Sequence, residues 1–237
     1  SAASLTVNWQ TNSNPAGTIY EVELSSDSNF SFSGDVTSST INSYALFGWS
    51  GEGDVLLPDN TYYAQARAKN EYGNWTRFIS LSSAVTDAAV VSISIATDTI
   101  SFTGLKMSTS VVSASSVCIT NNGNVYETYS LKIATATENT PWIISTSQDL
   151  NQAHIRAAFN DVRPSSTTFA SEDDLSATDQ TSTATKFSID GGIETGVDVD
   201  ISAIRGLWIN FMMPTASTTG QMQTFTLTIT AEEDYPD

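Results

Sequence analysis

LLPDNTYYAQARAKNEYG, residues 56–73, carries the clearest structural signal in the chain. Pro58 opens a turn, and Tyr62 follows where the chain turns a corner. Ala64, Ala66 and Ala68 then alternate with polar residues, the period of a half-buried strand. Asn70 and Gly73 supply the next turn. A tyrosine at such a corner can bury its ring and use its hydroxyl to satisfy a backbone group.

The same period extends outward from this stretch. Leu5, Val7 and Trp9 share one face, and Tyr20, Val22 and Leu24 repeat the pattern after the turn Asn14-Pro15-Ala16-Gly17. Helical periodicity is almost absent, and residues 149–160 read equally well as a short helix or a strand. Many short strands punctuated by Gly, Pro, Asn and Ser predict an all-β chain of sandwiches.

Composition agrees. Of 237 residues, 15% are charged, below the roughly 25% usual for globular proteins. Serine and threonine fill the gap at about 28%, and threonine favours strands. The net charge is −17, with nine acids against three bases through residue 87 and seventeen against six beyond it. A chain so acidic repels phosphate backbones, so nucleic acid is not an expected partner. No apolar run approaches a membrane span, and none is predicted. Cys118 is the single cysteine, which rules out an intrachain disulfide and reads as a buried thiol in a strand. The start at Ser1-Ala2-Ala3-Ser4, without methionine, fits a processed N-terminus.

The set Trp9, Leu56 to Pro58, Tyr62, Ala68, Asn70 and Gly73 resembles the fibronectin type III family over residues 1–86. The resemblance implies a two-sheet, seven-strand sandwich and no activity of its own. Trp9 lies so near the start that the family's first strand has no counterpart, and residues 47–54 look like an insertion. A larger sandwich, of jelly-roll or immunoglobulin-like kind, is expected over residues 88–232, with an acidic tail at 233–237. Its expected strands are residues 91–95, 111–120, 125–134, 204–213 and 223–230, with a long polar loop over 164–185. Within it, TNNGNVYETYSL, residues 120–131, resembles a strand-turn-strand of bacterial and archaeal surface-protein modules. Its Asn-Gly turn is explained by tolerance of positive φ.

Catalytic signatures are sparse, and neither an enzyme nor a cofactor is expected. His154 is the sole histidine, so a histidine-based zinc site is not available, and no nucleophile elbow, phosphate loop or dinucleotide fingerprint occurs. Asp173, Asp174 and Asp179, or Asp198 and Asp200, are the calcium candidates. The competing readings are a solvated loop for the first set and an exposed strand face for the second. Asn29 and Asn74 head glycosylation sequons, Asn29-Phe30-Ser31 and Asn74-Trp75-Thr76. Trp49 and Trp75 are the aromatics expected nearest the surface, and Trp49 is a candidate contact for a sugar or another subunit.

Three functions compete. The first is a structural, self-associating subunit of an extracellular filament or surface layer, with other copies of itself as partners. A sandwich lacking one strand would accept a neighbour's, head to tail, and the candidate interface residues are Leu5, Val7, Trp49, Phe225, Leu227 and Ile229. The C-terminal residues 229–237, or part of the linker, are the expected donor. The second is a carbohydrate-binding or spacer module of a secreted polysaccharide-active protein, with glycans as partners. The third is an adhesin.

Overall fold

The computed structural model describes residues 4–31, 35–48, 56–135, 141–189 and 194–234. The protein is all-β and divides into two compact units, Ser1–Ala89 and Val90–Asp237. Among the described residues no helix is long and apolar enough to cross a membrane.

The first unit contains β1 (Leu5–Asn8), β2 (Tyr20–Ser25), β3 (Val36–Thr40), β4 (Tyr44–Phe47), β5 (Thr61–Ala68) and β6 (Ile79–Val85). One sheet has the order β3-β2-β5-β6, and the other is the antiparallel pair β1-β4. Their facing side chains make the core, with Val22, Leu24, Ala64 and Ala66 from the larger sheet and Ala45 and Phe47 from the smaller. Tyr62 joins this core, and its hydroxyl accepts the Leu57 N–H at 2.8 Å. That bond ties down the segment entering β5, where Leu56 is itself buried. Trp9 packs its ring on Tyr20 at a centroid distance of 5.4 Å.

The outward face of the larger sheet is polar and aromatic. Arg67 pairs with Glu21 at 2.7 Å and lies over the rings of Trp75 and Phe78, while Lys69 also lies over Trp75. Trp75 is therefore half-covered by its own sheet's cations.

The second unit contains β7 (Ile93–Ile95), β8 (Ser110–Val112), β9 (Val117–Asn121), β10 (Tyr126–Thr135), β11 (Ile143–Ile144), β12 (Gln152–Phe159), β13 (Gln180–Thr181), β14 (Ile204–Met212) and β15 (Phe225–Asp234). A three-stranded sheet, β13-β10-β15, faces a six-stranded one, β11-β12-β14-β9-β7 with β8 also paired to β14. Alternation in each strand delivers the core: Tyr129, Leu131 and Ile133 from β10 meet Ile155, Ala157 and Phe159 from β12 and Leu207, Ile209 and Phe211 from β14. On the far side of the six-stranded sheet Val112, Ala158, Phe169, Ile189 and Trp208 form a second, smaller cluster.

Several expectations change here. Within residues 149–160, Gln152–Phe159 form strand β12, with both of its faces largely buried. The expected single strand at 111–120 is two, β8 and β9, both paired with β14. The polar loop at 164–185 is not merely solvated: Phe169 and Leu175 are buried, and a 3-10 turn at Ser171–Asp173 and the short β13 lie within it. Glu232, Glu233 and Asp234 are not a tail but the end of β15, which pairs with β10 through ten residues. Cys118 is half-buried, its sulfur 3.8 Å from the Ser116 hydroxyl.

The TNNGNVYE motif has a different cause from the one its turn suggested. Gly123 does not adopt positive φ. A Cβ there would come within 2.2 Å of the Val90 carbonyl oxygen, so the position needs glycine for close approach. The Asn124 side-chain oxygen accepts the Val90 N–H, and the Glu127 carboxylate accepts the Ser92 N–H, both at 2.7 Å. Asn121, fully buried, donates to the carbonyls of Val125 and Val199 and accepts the Gly123 N–H. The motif is a clamp that fixes residues 90–92 where the second unit begins. Burial pushes the Glu127 carboxyl up, against the opposing pull of the Ser92 N–H.

Candidate functional site: an open strand position in the first unit

The small sheet of the first unit ends at β1, whose only strand partner among the described residues is β4. Their register sets Leu5 opposite Phe47 and Val7 opposite Ala45, and the Trp9 N–H donates to the Ser43 carbonyl. An antiparallel ladder alternates its bonding residues, so Leu5, Val7 and Trp9 bond inward. Thr6 and Asn8 therefore turn their backbone groups to the open edge.

Burial on the facing sheet shows which side that edge occupies. β4 lies against β3, so the open edge of β1 is directed toward the half of the larger sheet that ends in β6. At the β3 side the inward residues Val36, Ser38 and Thr40 are half-buried. At the β6 side the result is opposite. Register pairs Ile79 with Ala66 and Ala84 with Tyr62, both core residues, so Ile79 and Ala84 point to the inner face. Yet Ile79 is 64% exposed and Ala84 is exposed. Two strands cannot roof four. Among the described residues an edge of β1 without a strand partner and an unroofed aliphatic floor thus lie beside each other.

The sequence-derived candidates fall variously around this position. Leu5 and Val7 are half-buried on the inner face of β1. Trp49 lies outside the described residues. Phe225, Leu227 and Ile229 pack against the core of the second unit. The proposed donor role of residues 229–237 is corrected by this arrangement, since residues 229–234 are already zipped to β10.

The calcium candidates separate. Asp173 is fully buried and accepts the Ala170 N–H at 2.8 Å. Asp174 takes the Arg156 Nε–H and His154 Nε2 on one oxygen, each at 2.6 Å. Asp179 pairs with Lys132 at 3.0 Å. Asp200 accepts the Ile201 N–H, and Asp198 has a positive φ of 49° in a bend, so these two do not form an exposed strand face. Among the described residues no group of three His, Cys, Asp or Glu side chains could hold a metal ion. His154 is buried, and no described hydroxyl shares a hydrogen bond with it.

The two sequons also differ. Asn29 donates to Asp27, as does the Ser31 hydroxyl, and these bonds, Ser31 foremost, hold the Asp27 carboxyl below its usual range. Asn74 is exposed in the β5–β6 turn, where its N–H donates to the Asn70 side chain.

No protein-family model matches the chain, and no curated protein sequence matches it. Among solved structures, alpha-L-rhamnosidase from Dictyoglumus thermophilum aligns at 11% identity with a TM-score of 0.23. That alignment covers 92% of this chain and 24% of the rhamnosidase chain, so the chain spans about a quarter of that protein. A TM-score so low carries no argument about either fold family or activity.

Proposed function

We propose that the protein is a non-enzymatic structural subunit of an extracellular filament or surface layer, self-associating through strand addition at the open edge of β1. The observation that carries this reading is the coincidence of an unpaired edge at Thr6 and Asn8 with the exposed inner-face residues Ile79 and Ala84. An added strand satisfies the first by backbone hydrogen bonds and covers the second. We take the first unit to be a fibronectin type III-like sandwich in which the described residues fill all but one edge position. Supporting this are the order β3-β2-β5-β6, the β1-β4 pair facing it and the Tyr62 corner bond. A strand passed from copy to copy makes a heterologous contact that does not close, and so builds a fibre. The extracellular placement rests on the family resemblance.

Thr6→Pro tests the reading. The Thr6 N–H points away from β4, so proline removes no internal ladder bond and blocks pairing at the outer edge. By sedimentation and electron microscopy the unmodified protein is expected to form concentration-dependent assemblies. The variant should stay monomeric with an unchanged melting temperature. A wild-type protein that remains monomeric at high concentration, or a Thr6→Pro protein that assembles equally well, refutes the proposal.

A further inference from the structure

We infer that residues 163–175 are a strap across the far face of the six-stranded sheet, closed in acid and released as pH rises, with the buried Asp173 carboxyl as its latch. The strap brings Phe169 against Val112, Ala158 and Trp208 and helps keep all three from water. Side chains fasten it at intervals. Arg163 donates to the Val112 carbonyl at 2.5 Å, Asn210 to the Ser166 carbonyl at 3.1 Å, and Arg156 to the Phe169 carbonyl at 2.9 Å. At its end the Leu175 N–H donates to the Ile155 carbonyl at 3.0 Å. A segment fastened mostly by side chains can lift while the strand ladders beneath it stay paired.

The last turn of the strap carries two neighbouring acids in opposite surroundings. His154 and Arg156 of β12 both converge on Asp174. Asp173 is fully buried and, among the described residues, forms no ion pair. Its carboxyl accepts the Ala170 N–H, and the N–H groups of Phe187 and Ser188 approach it from the returning chain. The other charged groups beside it are Glu172, which opposes its ionisation, and Lys186, whose Nζ donates to the Glu172 carbonyl and lies over the Phe187 ring. A carboxylate buried without a cation is costly, so the closed strap favours the protonated acid. Burial accordingly pushes this carboxyl up to about 6. A lifted strap hydrates the charge, so closure is strongest below 3.8 and weakens as pH rises through about 6. Phe187 adds strain at the same place. It is fully buried at a φ of 58°, a left-handed backbone that bulky residues rarely adopt, and release relaxes it.

Hydrogen exchange, corrected for the intrinsic pH dependence of amide exchange, tests the latch. From about pH 4 to about pH 7 the opening constant at the Leu175 amide should rise roughly 100-fold in the wild-type protein. The β10 amides paired with β15 should change far less. In Asp173→Asn the rise should largely vanish, whereas His154→Gln, which leaves Asp173 in place, should keep it. A flat wild-type response, a rise that survives in Asp173→Asn, or one abolished by His154→Gln overturns the proposal. Should Asp173→Asn fail to fold, the carboxyl carbon shift of Asp173 in the wild-type protein decides. It must report proton loss over the same pH range in which Leu175 exchange accelerates, and ionisation complete below about pH 5 overturns the latch.

Discussion

Asn121→Ala is expected to destabilise the second unit by about 3 kcal/mol, because the Val125 carbonyl and the Gly123 N–H lose the side chain that satisfies them and the Val199 carbonyl loses one of its two donors. The Val125 carbonyl and the Gly123 N–H bond to this one amide, while the Val199 carbonyl also accepts the Glu127 N–H at 3.1 Å. The alanine cannot restore any of them, and water cannot reach a side-chain position that is fully buried. Loss of the amide also loosens the loop that presents Gly123, Asn124 and Glu127 to residues 90–92. The measurement is urea-dependent hydrogen exchange at the β9 and β10 amides, which should lose protection at much lower denaturant than in the wild type. A shift below about 1 kcal/mol would show that the loop holds its shape through backbone contacts alone.

The second large effect is on pH. Burial pushes the Asp173 carboxyl up from 3.8 to about 6, although the N–H groups of Ala170, Phe187 and Ser188 pull it down. A carboxyl whose folded pKa is raised binds its proton more tightly in the folded state. Its contribution to stability is complete below 3.8 and is lost as pH rises through about 6. The wild-type protein is therefore expected to gain about 3 kcal/mol relative to Asp173→Asn as pH falls across that window. The difference between the two melting curves isolates the group from the general relief of a −17 chain on acidification. A difference that stays flat from above 6 down to 3.8 would place the Asp173 carboxyl in contact with solvent.

Features set by neighbours in the chain were readable from sequence. The corner at Tyr62 and the alternation of Ala64 and Ala66 depend on turn chemistry and a two-residue period, both of which are local. The residues that misled were those whose surroundings come from afar. Gly123 looked like a turn glycine because Asn-Gly usually is one, but its constraint is a carbonyl thirty-three positions earlier. Asp173 and Asp174 looked like a solvated acidic pair, whereas folding buries one and hands the other to Arg156 and His154. The strand expected at 223–230 was legible, whereas its continuation to Asp234 and its partner, β10, were hidden. The exposed floor at β6 was equally hidden, since ISLSSAV alternates like any half-buried strand. Its exposure results from the width of the opposite sheet, a quantity no single segment encodes.

That uncovered floor has a thermal consequence. Covering Ile79, Leu81 and Ala84 removes apolar surface from water, so association through this face carries a negative heat-capacity change. Apolar burial weakens on cooling, whereas backbone hydrogen bonds do not share that trend. Assemblies formed warm should therefore loosen near freezing and re-form on rewarming, with calorimetry giving a binding enthalpy that becomes more favourable as temperature rises. An assembly held by charge or by backbone pairing alone would show no such cold lability.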